Sequence, residues 1–123
     1  MFDGDCAFCT TSVDWLARRL HRHHAPSVRL SPWQYLDLAD LGITTAQAQR
    51  EVIWVSPDGS HVGGAGAVAA WLVHAGPPYS LAGRFLRLPL IRSVAAGVYR
   101  LVAANRHRLP GGSPACALPP HRR

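Results

Sequence analysis

Lysine is absent from the 123 residues, and no acidic residue follows Asp58. The thirteen basic side chains are therefore all arginine. Five lie in residues 1–58 with all seven acids, and eight lie in residues 59–123, which leaves a net charge of +6. Such a half can meet phosphate, an acidic protein or an anionic membrane surface, or can simply be a solvated basic face. Few aromatic residues interleave with these arginines, so a stacking platform for single-stranded nucleic acid is not expected. No run of eighteen apolar residues occurs, and no basic-then-apolar leader opens the sequence; neither a membrane span nor secretion is expected, and the location read from this is cytoplasmic. Cysteine is scarce: Cys6, Cys9 and Cys116 allow at most one intramolecular pair and an odd thiol. In a reducing cytosol such a pair is more often catalytic or metal-binding than structural.

What is present suits one compact domain. Apolar residues make up 48% of the chain, enough to bury a core without disulfide staples. Met1-Phe2-Asp3-Gly4-Asp5 reads as the stub of a strand and a turn, after which Asp5 or Cys6 caps a helix carrying Val13, Leu16, Ala17 and Leu20 at helical spacing. Ala25-Pro26 closes that helix. Ser27–Leu30 alternates as a short strand, and a helical stretch is expected over Thr45–Arg50. Glu51–Val55, β-branched and aromatic, reads as a buried strand. Ser56-Pro57-Asp58-Gly59 supplies a turn into an antiparallel Ser60–Val62. A small-residue helix over 64–75 stops at Gly76-Pro77-Pro78. Residues 79–105 read as helical, interrupted near Pro89, with Leu81, Phe85, Leu88, Val94, Val98, Leu101 and Val102 available for packing. The four tryptophans (15, 33, 54 and 71) are expected in or near the core. The order β-α-β-α-β-β-α with an added C-terminal helical segment predicts an α/β thioredoxin-like sandwich over residues 1–108, and a Pro/Gly-rich tail over 109–123.

Cys6-Ala7-Phe8-Cys9 carries the chemistry. Residues three apart on the first turn of a helix share a face, so their sulfurs can meet. The unpaired amides and partial positive charge at a helix start favour thiolate over thiol, whose free pKa is about 8.5. Cys6, expected to be the exposed member, is assigned as nucleophile and Cys9 as resolving thiol, giving disulfide reduction or exchange. Asp3 and Asp5 lie close enough in sequence to modulate the pair, and negative charge there opposes ionisation. Asp5 is expected to cap the helix, while the role of Asp3 stays open. No cation lies between the cysteines, so a strongly oxidising couple is not expected.

The heptapeptide Asp3-Gly4-Asp5-Cys6-Ala7-Phe8-Cys9 resembles the opening motif of the DCC family of thiol–disulfide oxidoreductases. The similarity extends through Val52–Val55, the Asp58-Gly59 turn and Tyr99–Arg108, ending Asn105-Arg106-His107-Arg108. The resemblance implies a thioredoxin-like fold and disulfide exchange through Cys6 and Cys9. Family members carry a longer first strand, whereas two residues precede Asp3 here. Thr44–Arg50 also lacks the proline that thioredoxins place beside their dithiol, so recognition of a substrate backbone in their manner is not expected.

Three rival assignments compete with the dithiol, the first sharing its cysteines. Cys6, Cys9, His21 and His24 have a spacing close to that of a zinc finger. Cys9 and His21, however, are twelve residues apart on one predicted helix, about 18 Å, and zinc ligands must lie within about 2.3 Å of the metal; no metal is expected. Gly64–Ala69 matches the dinucleotide pattern G-x-G-x-x-A, but the acid needed about twenty residues later is missing, so close packing of small residues is expected instead. The basic C-terminal half, with Arg84, Arg87, Arg92, Arg100, Arg106 and Arg108 around apolar positions, is compatible with a non-catalytic interaction module. Cys116 is expected to be inert. The expected partners are a disulfide-containing protein or small thiol substrate and an external dithiol reductant, with no bound organic cofactor.

Overall fold

A computed structural model of the chain describes residues 1–20 and 28–112. Its helices are α1 (Ala7–Leu20), α2 (Thr45–Arg50), α3 (Ala65–His74), α4 (Tyr79–Leu86) and α5 (Pro89–Asn105), and its strands are β1 (Ile53–Val55) and β2 (His61–Gly63). The strands pair antiparallel, Ile53 opposite Gly63 and Val55 opposite His61. Their turn is held by the Asp58 carboxylate, which accepts from the Ser60 N–H at 3.0 Å and from its hydroxyl at 2.7 Å.

The start of the chain extends this pairing by single contacts. Ile53 N–H donates to the Met1 carbonyl at 2.9 Å, and on its other side Phe2 forms an isolated parallel bridge with Pro32. Met1 N also donates to the Ile53 carbonyl, the reciprocal pattern of an antiparallel pair, so the contacts run Pro32, Met1–Phe2, β1, β2, the first parallel and the other two antiparallel. This mixed α/β arrangement is consistent with a thioredoxin-like fold. The strand expected over Ser27–Leu30 is not seen: Ser27 lies outside the described residues, residues 28–30 are not strand, and the contact with the chain start is at Pro32. Phe2 N–H donates to the Ser31 carbonyl and Trp33 N–H to the Phe2 carbonyl, after which Gly4-Asp5 turns away on one side and Trp33–Tyr35 coils into a 3-10 turn on the other, so the pairing stops at one bridge. The expected strand over Met1–Phe2 is reduced to that bridge for the same reason.

A core lies on each face of these strands. Val13, Ala17 and Leu20 of α1 pack with Trp71 and Ala75, with Trp54 and Phe2 against them. Ile43, Ala48 and Ile53 form a second cluster with Met1 and Trp33. Ile53 and Trp54 serve different clusters because successive strand residues point to opposite faces. Helix α2 begins where expected, Thr44 Oγ1 accepting from the Gln47 N–H at 3.1 Å. Gly66, in the glycine-rich stretch, packs closely: a β-carbon there would lie 2.6 Å from Val62 Cγ2. Ala67 and Ala69 are buried, and the Gly64 N–H is already used, donating to the Val52 carbonyl at 2.9 Å.

Two packing expectations are corrected. Trp15 is exposed, on the opposite side of α1 from Val13 and Ala17, where the Arg19 guanidinium covers its ring at 5.1 Å. The apolar residues of 79–105 are exposed as well: Leu81, Phe85, Leu88, Val94, Val98, Leu101 and Val102 all face solvent. Helix α5 has no buried residue between its ends. It is anchored instead by Tyr99, whose hydroxyl accepts from the Val52 N–H at 2.8 Å. Burial pushes the Tyr99 phenol up to about 12. Tyr99→Phe is expected to leave a half-buried amide unpaired and to cost about 1–3 kcal/mol in urea unfolding. The native fold holds the Tyr99 proton to higher pH than the unfolded chain does. Its contribution is therefore complete below the ordinary tyrosine pKa and is lost as pH rises towards about 12. The alkaline fall in unfolding midpoint should be smaller in the phenylalanine variant; an equal fall in both would refute the assignment.

Candidate functional site

The site forms where the chain leaves its first pairing and enters α1. Asp3 is buried, and its Oδ1 accepts from the Asp5 N–H at 3.1 Å and from Gln34 Nε2 at 2.9 Å. Gln34 also accepts from the Gly4 N–H at 3.2 Å, which clamps the Asp-Gly-Asp loop from both sides. Gly4 is needed because Pro32 crosses so near: a β-carbon there would lie 2.7 Å from Pro32 Cβ. Asp5 is exposed, and it is not the cap of α1. Cys6 occupies that position, its Sγ accepting from the Cys9 N–H at 3.4 Å while its carbonyl accepts from the Thr10 N–H at 3.0 Å. The three-residue spacing that brings the cysteines onto one turn is the same spacing by which a cap side chain reaches the third helical amide.

The two sulfurs differ in state. Cys6 is fully buried and disulfide-bonded, whereas Cys9 is a half-buried free thiol. The bond expected between Cys6 and Cys9 is thus not formed in this structure, and the greater exposure expected for Cys6 belongs to Cys9. Cys9, Asp3, Tyr99 and Arg106 help line a cavity of about 580 Å³ whose walls are otherwise mostly apolar, among them Phe8, Val13 and Trp71. Cys116, His21 and His24 lie outside the described residues. Among the described residues no cluster of His, Cys, Asp or Glu has the form of a metal site.

Arg106, placed by the sequence among the surface arginines, is 3% exposed. Its Nη1 donates to Cys9 Sγ at 3.2 Å, its Nη2 donates to the Gln49 carbonyl, and Nη2 lies 3.9 Å from Asp3 Oδ2. The cation missing between the cysteines is therefore delivered from the far end of α5. Tyr99 and Arg106, seven residues apart, share the inner face of that helix end. Burial pushes the Cys9 thiol above its ordinary value; the charge and hydrogen bond of Arg106 pull it down, and the charge of Asp3 pushes it up. Asp3→Asn removes that last effect and should move peptide-resolved alkylation of Cys9 to lower pH. An unchanged or higher midpoint would show that Asp3 exerts no field on the thiol.

Sequence reasoning missed Gln34 and the inward turn of Arg106. Gln34 gave no signal, and Arg106 had one only as part of the Asn105–Arg108 stretch. A family model described as DCC1-like thiol-disulfide oxidoreductase matches residues 1–112, from the Asp-Gly-Asp loop through Arg106. No curated protein and no solved structure matches the chain. With that match spanning the cysteine turn, the sheet and all five helices, the chain belongs to the DCC1-like thiol-disulfide oxidoreductase family.

Proposed function

We propose that the protein reduces or exchanges disulfides through Cys6 and Cys9, with Arg106 and Asp3 setting the readiness of the second thiol. The observation that carries this is a free Cys9 sulfur under the Arg106 guanidinium, one helical turn from a Cys6 engaged in a disulfide. That arrangement suits the resolving stage of exchange. In the first step the Cys6 thiolate attacks a substrate disulfide, forms a mixed disulfide and releases one substrate thiolate, which takes a proton from water. In the second, Cys9 loses its proton and attacks Cys6 Sγ. The second substrate thiolate leaves, and the two electrons given up by Cys6 and Cys9 have reduced one substrate disulfide to two thiols.

An external dithiol, available in a reducing compartment such as the cytoplasm, then restores the pair. The cycle needs no bound organic cofactor. Arg106 acts in the second step, where it favours the Cys9 thiolate against burial and Asp3. The apolar cavity beside Cys9 would receive the part of the substrate next to its disulfide.

The test is a redox titration of the full chain with mass-spectrometric disulfide mapping, run beside insulin reduction with dithiothreitol as reductant. A reversible two-electron transition that interconverts a Cys6–Cys9 bond with two thiols, together with turnover above dithiothreitol alone, is expected. A Cys6 bond only to Cys116 at every potential, with no turnover, would overturn the proposal.

A further inference from the structure

Helix α5 turns its apolar side outward. Leu90, Val94, Val98 and Leu101 recur at steps of four, four and three, which puts them on one face, and they are 77, 60, 56 and 67% exposed. The face runs along a 17-residue helix, about 25 Å in length. Leu81, Phe85 and Leu88 form a second exposed apolar row at the same spacing on α4 and the residues after it. Single exposed apolar residues are ordinary, but a continuous series on neighbouring helices marks an interaction surface.

Charge decides what covers it. Arg84, Arg87, Arg92, Arg100 and Arg108 are all exposed on this part of the chain, and residues 59–123 contain no acid to offset them. A second copy would bring the same arginines against these, so self-pairing is opposed by like charge. The face is also a convex helical stripe with Phe and Leu side chains, the shape that lies along a planar boundary between anionic headgroups and acyl chains. None of the described helices is long and apolar enough to cross a membrane, so contact would be peripheral. We infer that α4 and α5 dock the protein on the surface of an anionic phospholipid bilayer, with Cys9 and Arg106 held on the opposite side of α5, away from the lipid.

The full chain is to be sedimented with vesicles of phosphatidylglycerol and phosphatidylcholine, and with vesicles of phosphatidylcholine alone. Binding to the mixed vesicles should be at least about tenfold stronger and should weaken as salt rises. Leu90→Gln, Val94→Gln and Leu101→Gln together should reduce it by at least about tenfold. Arg84→Gln, Arg87→Gln and Arg100→Gln together should remove most of the salt-sensitive part. Insulin reduction should be unchanged in both variants, since none of these residues touches Cys9. Equal binding to the two kinds of vesicle, or none, would overturn the inference. So would a concentration-dependent dimer abolished by the glutamine variant, or an acidic protein retained through this face when vesicles are not.

Discussion

Cys6→Ser is expected to reduce insulin reduction to the rate given by dithiothreitol alone, whereas Cys9→Ser should stall the cycle halfway. The difference follows from the order of bonds. Without Cys6 the mixed disulfide of the first step has no sulfur on which to form, and Cys9 has no partner to resolve. Without Cys9 the first attack still proceeds, but nothing one turn away displaces the substrate, so a covalent adduct accumulates on Cys6. Peptide mapping after quenching with acid reads the two outcomes directly. Near-normal turnover by Cys6→Ser would reverse the assigned roles, and an absence of adduct in Cys9→Ser would remove Cys9 from resolution.

The second large effect is expected at Arg106. Arg106→Leu removes a charged hydrogen bond to Cys9 Sγ at 3.2 Å. Such bonds contribute about 1.5–3 kcal/mol, roughly one to two powers of ten in thiolate population. Cys9 alkylation and substrate release from the mixed disulfide should slow accordingly at neutral pH, and both should recover at higher pH. The variant also leaves Asp3 as a buried carboxylate without its nearby cation, a separate cost in stability. Asp3→Asn combined with Arg106→Leu separates the two effects. Stability should return towards wild type, while the pH profile of Cys9 stays shifted relative to Asp3→Asn alone. Arg106→Lys should restore only part of the rate, since an ammonium cannot span Cys9, Gln49 and Asp3 as the guanidinium fork does. An unchanged alkylation profile in Arg106→Leu would show that the guanidinium serves structure alone.

How much of this was legible beforehand depends on how local each feature is. Helix α2 spans the expected residues, α3 and the β1–β2 hairpin lie within two residues of theirs and α1 starts within one, because spacing and turn chemistry within a dozen residues specify them; the expected close of α1 at Ala25-Pro26 lies outside the described residues. The cysteine turn was legible for the same reason, including that Cys6 could serve as the cap. Capping by Asp5 was a less local misjudgement. Asp3, one turn of chain earlier, engages the Asp5 amide and Gln34, and the cap passes to Cys6. The packing assigned to residues 79–105 failed because periodicity reports which side chains share a face, and not whether another element covers that face.

Composition and local order determined that this is a small α/β protein with a C-x-x-C pair at a helix start and an arginine-rich second half. Only the tertiary structure decided that one of those arginines, 97 residues from Cys9, turns inward to its sulfur, and that the apolar side of α5 turns outward. The physical reason is the same in both cases. A helix has two sides, and Tyr99, bonded to the Val52 amide across the fold, selects which one meets the body of the protein. That bond joins residues 47 positions apart, a distance over which no pattern in the chain specifies a contact.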